Sequence, residues 1–185
     1  MRKLKVTEMG RKSVEQFRDS HKMPLVVVLD HVRSLYNVGS VFRTSDAFLV
    51  KGICLCGITA RPPHPEIHKT ALGAEDLLKW QRFSDVQEAI DYYHRQNIKV
   101  FALEQGKESL NIADHHDYPD SIALILGEEV HGIPAEILKL CDGQLEIPMC
   151  GQKESFNVSV ATGIALWELR KPDLSGTEKY LHRPQ

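Results

Sequence analysis

Three short stretches of this chain carry more asparagine, arginine, glutamate, serine and glycine than a connection between packed elements requires. The first runs from Asp30-His31-Val32-Arg33-Ser34 through Asn37-Val38-Gly39 to Arg43. Arg43 stands six residues past Asn37, too far round a helix starting there to partner its cap, so its guanidinium calls for another anion. A structural account also fits, with Asn37 capping the helix, Gly39 allowing close packing and Arg43 paired with Asp46. The second stretch is Leu126-Gly127-Glu128-Glu129-Val130-His131-Gly132-Ile133-Pro134. A glycine at a strand's carboxyl end lets a ligand approach the backbone, and carboxylates beside it can receive hydroxyls or pair with an arginine. An ordinary turn explains it equally well. The third runs Glu146-Ile147-Pro148-Met149-Cys150-Gly151 through Glu154-Ser155-Phe156-Asn157-Val158. Ser155 or Asn157 alone could be the cap of the last helix, but a proline, a glycine and two capping residues exceed what a turn needs.

These stretches sit where strands should end. Five apolar, β-branched runs, at 24–30, 52–59, 98–105, 121–128 and 144–149, read as buried strands. Helical patterns lie between and after them. Residues 84–97 place Val86, Ala89, Ile90 and Tyr93 on one face, with Ser84 and Gln87 as a capping box. Pro134 suits the first turn of a short helix ended by Gly143, and Phe156, Val160, Ile164 and Trp167 suggest the packed side of a C-terminal helix. Continuous apolar strands alternating with helices predict an α/β domain, a mostly parallel sheet with helices on both faces. Ligands of such sheets bind beyond the strands' carboxyl ends, which is where the three stretches fall.

Composition narrows the classes. With 185 residues, 42% hydrophobic and 26% charged, the chain suits one globular domain. Residues 1–21 read as a basic arm, 22–171 as the domain and 172–185 as a frayed tail. No apolar run approaches the roughly 20 residues of a membrane span, and Met1-Arg2-Lys3-Leu4-Lys5 does not open a secretory signal, so a cytoplasmic protein is expected. The four cysteines form no C-x-x-C pair, Cys54 and Cys56 read as buried thiols, and His64, His68, His115, His116 and His131 show no ligand spacing; no metal is expected. Neither a dinucleotide fingerprint nor a phosphate-cradling glycine loop occurs, which argues against a nucleotide-binding oxidoreductase. Net charge is −2, but residues 1–20 hold six bases against three acids, while 103–136 hold eight acids and only Lys107. The arm could meet phosphate; the acidic stretch is a poor place for it.

In this order, the three stretches resemble the SpoU-type (TrmH-like) branch of the SPOUT superfamily of RNA methyltransferases. Asn37-Val38-Gly39 with Arg43 matches the first block, Ile125-Leu126-Gly127 through Glu129 and Gly132 the second, and Ile147-Pro148-Met149 through Glu154-Ser155-Phe156-Asn157-Val158-Ser159-Val160 the third. The resemblance covers about residues 22–171, with Phe156 where the family more often has leucine. It implies a C-terminal trefoil knot and S-adenosylmethionine as methyl donor. Leu103, Glu104, Gly127, Ile147, Met149 and Phe156 would bind the cofactor. A ribose 2′-hydroxyl would be the acceptor and Arg43 the catalytic residue, oriented by Asn37, Glu129, Ser155 and Asn157. A guanidinium stays protonated at any working pH, so Arg43 is better suited to clamp a phosphate and stabilise the developing alkoxide than to act as base. Short members of the family commonly act on transfer RNA, making tRNA the first expected substrate and ribosomal RNA the second. A catalytically silent RNA-binding or assembly factor of the same fold is the remaining alternative. A homodimer with sites drawing on both chains is expected, with RNA contacts from the arm and from Arg33, Arg61 and Lys69.

Overall fold

The computed structural model describes residues 2, 3, 5, 10, 12–114 and 119–175, with side chains described through Arg170. His115 and His116, parts of the arm, and residues 176–185 of the expected tail lie outside the described residues. The described residues form seven strands: β1 (Met23–Asp30), β2 (Val50–Cys56), β3 (Trp80–Phe83), β4 (Lys99–Leu103), β5 (Leu110–Asn111), β6 (Ile122–Leu126) and β7 (Gly143–Glu146). They form one sheet, ordered β3-β2-β1-β6-β4-β7-β5, with every pairing parallel. The helices are α1 (Val14–Asp19), α2 (Leu35–Ala47), α3 (Pro65–Ala71), α4 (Ala74–Leu77), α5 (Val86–His94), α6 (Ala135–Leu138) and α7 (Val158–Ser175).

The alternation along β1 divides the core. Leu25, Val27 and Leu29 point to the layer of α2 and α7, against Phe42 and Leu166, while Val26 and Val28 point to α5, against Val86, Ile90 and Tyr93. Both faces are covered, which is why β1 and β6 read as unbroken apolar runs. Each fully buried Val, Leu or Phe contributes about 1.5–3 kcal/mol. Cys54 and Cys56 are buried free thiols, as expected, with their sulfurs 3.6 Å apart.

Several local expectations are corrected. β3 and β5 were not legible: β3 is an edge strand whose Gln81 and Arg82 break any apolar run, and β5 has two residues. The cap of α2 is Ser34, whose hydroxyl accepts from Asn37 N–H, so Asn37 is one turn inside the helix with its side chain free for other work. Asp85, not Ser84, caps α5 by accepting from Glu88 N–H, and Gly143 begins β7 rather than ending α6, which gives way at Lys139. On α7 the buried residues with described side chains are Val158, Thr162, Ala165, Leu166 and Arg170, whereas Val160 and Trp167 of the supposed packed stripe are 49% and 52% exposed. That stripe has helical spacing but faces outward.

Candidate active site

The carboxyl ends of β4, β6 and β7 open into one pocket of about 450 Å³, within the ordinary range for small-molecule sites. Its wall is made by residues 103–105, 126–133, 146–147 and 154–156, with Val158 and Ala161 of α7 and Ala135 and Leu138 of α6 beneath. The loop after β6 folds back on itself: Gly132 N–H donates to Glu128 O at 3.1 Å, and a Cβ on Gly127 would lie 2.5 Å from the Gly132 carbonyl. Gly132 has φ +65°, and a Cβ there would meet Glu104 Oε2 at 2.2 Å. The two glycines therefore exist for close backbone approach.

Glu104 holds this corner. Its carboxylate accepts from Ile133 N–H and Gln105 N–H, each at 3.0 Å, while its carbonyl accepts from the Gln144 side chain at 2.9 Å. Gln105 donates to the Glu154 carbonyl at 2.6 Å and so ties the third stretch to the end of β4. Gln105 and Gln144 were not singled out from sequence; their placement after β4 and within β7 was the available signal.

A chain of polar side chains links the pocket to α2. Asn157 precedes α7 and caps it, its Oδ1 accepting from Ser159 N–H at 3.0 Å and Ser159 Oγ–H at 2.7 Å. Its amide nitrogen donates to Asn37 Oδ1 at 3.2 Å, and Asn37 Nδ2 donates to Glu129 Oε1 at 2.7 Å. A carboxylate only accepts, which fixes the direction of the relay. Ser155, Glu129, Gly127, Leu103, Glu104, Ile147 and Phe156 all line the pocket. Met149 lies outside the lining, as do Asn37 and Asn157 except through the relay. Arg43 is also outside, exposed, about 9 Å along α2 from Asn37. Among the described residues the Arg43 side chain has no hydrogen bond or ion pair, so the pairing with Asp46 is not formed.

At the mouth, Glu128 receives His131 Nδ1 at 2.6 Å and stands 3.7 Å from Arg33 Nη2. Arg61 and Lys69 are exposed beside α3, whose Thr70 hydroxyl reaches the Tyr36 carbonyl at 3.0 Å. Below the mouth, Asp30 is 4% exposed and hydrogen-bonds His31 Nδ1 at 2.6 Å. Burial pushes its carboxyl above the usual range; His31 opposes the rise, and Glu128 and Asp85 add to it. Five glutamates line the pocket with no lysine or arginine, so it suits a cationic ligand carrying hydroxyls. No group of ligands for a metal ion occurs among the described residues.

Comparison with known proteins gives this pocket its context. A model of the SpoU rRNA Methylase family matches residues 24–167. Over 147 residues the chain is 30% identical to the 23S rRNA (guanosine-2'-O-)-methyltransferase RlmB of Coxiella burnetii, covering 80% of this chain and 58% of that protein. The tRNA (guanosine(18)-2'-O)-methyltransferase of Thermus thermophilus is 28% identical over 168 residues, 91% of this chain and 85% of its own. An AdoMet-bound rRNA methyltransferase from Sinorhizobium meliloti superposes with a TM-score of 0.76 at 28% identity, over 84% of this chain and 60% of that one. The A. aeolicus TrmH/SpoU tRNA modifying enzyme, 24% identical, shares the fold with a TM-score of 0.77 over 93% and 87% of the two chains. The chain thus spans little more than half of the first relative, 58% of its length. The matched region takes in all three motif-bearing stretches and the sheet that gathers them, and the chain belongs to the SpoU rRNA methylase family.

Proposed function

We propose that this chain is an S-adenosylmethionine-dependent RNA 2′-O-ribose methyltransferase. The observation that carries the reading is the convergence of three strand-end loops on one acid-lined pocket, joined through Asn157, Asn37 and Glu129 to the helix that bears Arg43. Leu103, Gly127, Ile147 and Phe156 would hold the cofactor, whose adenine finds exposed backbone and apolar walls there, with the carboxylates of the pocket facing its cationic end. Met149, the remaining expected cofactor residue, is not part of that lining. Bound S-adenosylmethionine would supply an electrophilic sulfonium methyl group for a ribose 2′-hydroxyl. Arg43 clamps a neighbouring phosphate and stabilises negative charge on that oxygen, while Ser155 and the relay fix the loops around it. Incubating the protein with labelled S-adenosylmethionine and RNA, then digesting to nucleosides, tests the reading. It predicts label in a 2′-O-methylnucleoside; label in bases alone, or none with either RNA class, would overturn it.

Transfer RNA is the first substrate to try, since the relative named for tRNA matches 91% of this chain against 80% for the one named for 23S rRNA. Ribosomal RNA is the second. A cytoplasmic location agrees with both, and among the described residues no helix is long and apolar enough to cross a membrane. The trefoil knot belongs to the same reading: β6 lies between β1 and β4, and the loops after β6 and β7 meet at the pocket. The catalytic unit spans 22–171, with 1–21 as arm and 172–185 as tail, although α7 runs four residues past that boundary to Ser175.

The protein acts as a homodimer whose sites draw on both copies. Two observations support this: Arg43 is exposed outside its own pocket's lining, and α7 presents Val160 and Trp167 to solvent, an apolar stripe suited to a second copy. Mixing inactive Arg43→Ala and Asn157→Ala proteins distinguishes the arrangements. Shared sites regain activity on mixing; self-contained sites do not.

A further inference from the structure

A second cleft, of about 900 Å³, lies at the opposite end of the sheet, where β1 and β2 begin. It lies toward the other end of β1 from the first pocket, a strand about 25 Å long. Arg18, Lys22, Lys51 and Lys79 line it, with Asp76 the one acid among the described lining residues. Lys51 and Lys79 have no hydrogen bond or ion pair from their side chains among the described residues. Lys22 is held in place, its ammonium donating to the Phe17 carbonyl and lying 3.4 Å from the centre of the Phe17 ring. Burial lowers its pKa, and the charges of Lys12 and Lys79 lower it further against the opposing pull of Asp46. Cations crowded without sufficient counter-charge are an anion site in want of an anion. The cleft also has aromatic walls: Trp80 and Tyr92 are both partly exposed along it.

The arm's role changes with this geometry. Arg33, Arg61 and Lys69 lie toward the strand ends, whereas Lys12, Arg18 and Lys22 gather at the strand starts. The two sets cannot grip one short stretch of RNA.

We propose that this cleft is a second RNA-binding site, in which Lys22, Lys51, Lys79 and Arg18 take backbone phosphates of an unpaired segment and Trp80 takes a base. Phosphates alone would need only the cations. Rings beside them suit single-stranded nucleic acid, which every base can enter by stacking. The inference rests on the RNA reading above for its choice of ligand. The site anchors substrate at a distance and takes no part in transfer.

The test uses the full chain, a fluorescently labelled ten-nucleotide oligouridylate, and the double variant Lys51→Gln/Lys79→Gln, whose two side chains are exposed. Losing two phosphate contacts should lower the slope of log affinity against log salt by about 1.4, so that raising salt fourfold weakens the parent about sevenfold more than the variant. In a Trp167→Phe background, where Trp80 is the remaining tryptophan, oligouridylate should change the emission. With a methylated RNA as substrate, the variant should raise KM and leave kcat and S-adenosylmethionine affinity alone. An unchanged salt slope, or unmoved Trp80 emission, overturns the proposal. If no RNA is methylated but the slope and emission respond as stated, the cleft stands and the methyltransferase reading falls. Normal transfer with an unchanged slope and KM does the opposite, removing the cleft and keeping the methyltransferase.

Discussion

Replacing Asn37 by aspartate would test the relay at its centre. The Asn157 amide can still donate to the new carboxylate, so the change isolates the contact with Glu129, where a 2.7 Å hydrogen bond becomes two opposed carboxylates. With charge centres about 4 Å apart the repulsion is about 1 kcal/mol in water and about 4 kcal/mol at the effective dielectric of a protein surface. The part-exposed position puts the combined loss near 2–3 kcal/mol, once the missing charge-assisted bond is included. At about 2–4 °C per kcal/mol for a domain of this size, the melting temperature should fall by about 6 °C. Single-turnover methyl transfer should slow at least about tenfold as the loop after β6 leaves Asn37. Adding Glu129→Gln supplies an amide that donates to Asp at position 37, so the double variant should recover most of the melting temperature. The cycle should give a coupling of about 2 kcal/mol. Effects that add to within about 0.5 kcal/mol would refute the relay as an energetic unit.

Arg43→Ala should slow transfer about 100-fold or more while melting temperature and S-adenosylmethionine affinity stay put, because the guanidinium has no partner among the described residues. Arg43→Lys should also be poor, lacking the two-pronged fork; near-normal single-turnover rates would remove Arg43 from the chemistry. Gly132→Ala should reduce S-adenosylmethionine affinity at least about tenfold by calorimetry, since its Cβ would drive into Glu104 at a backbone angle costing about 1–2 kcal/mol. Asp142 feels burial raising its pKa, but bonds from Lys99, Val100 N–H and His94 outweigh it and hold the carboxyl below its ordinary 3.8. A depressed carboxyl stabilises above the unfolded value and ceases to as pH falls through the folded one. Asp142→Asn should therefore lower the melting temperature by about 2–4 °C at pH 7, from about 1 kcal/mol after solvent screening, and the gap should close in acid below pH 3.8.

The sheet was legible where strands are buried on both faces, because β1 and β6 can satisfy that environment only with unbroken apolar runs. It was illegible at the edges. Trp80-Gln81-Arg82-Phe83 pairs on one side only and carries no such run. On α7, spacing identified a helix but misassigned its inner face: Thr162 is buried through its bond to the Val158 carbonyl at 2.7 Å, a solution that hydrophobicity does not signal. The three motif stretches were found, and Asn37, Glu129 and Asn157 do touch, yet periodicity gives no sign of contacts 92 and 120 residues apart. Nor could it show that Lys12 and Arg18 of the arm lie away from those motifs, since charge counts carry no position in space.

The relay also bears on how a copy of this protein comes into use. Asn37 belongs to an early segment, Glu129 to one made much later and Asn157 to one later still, and a growing chain offers them in that order. β1, β2 and α2 can pack against each other while the ribosome is still adding the rest, but the pocket has no third wall until Ser155, Phe156 and Asn157 have left the exit tunnel and α7 has seated. Until then a nascent chain has neither a closed pocket nor the partners that hold the Asn37 side chain. The pocket is thereby assembled in a single late step, after the first strands and helices have packed.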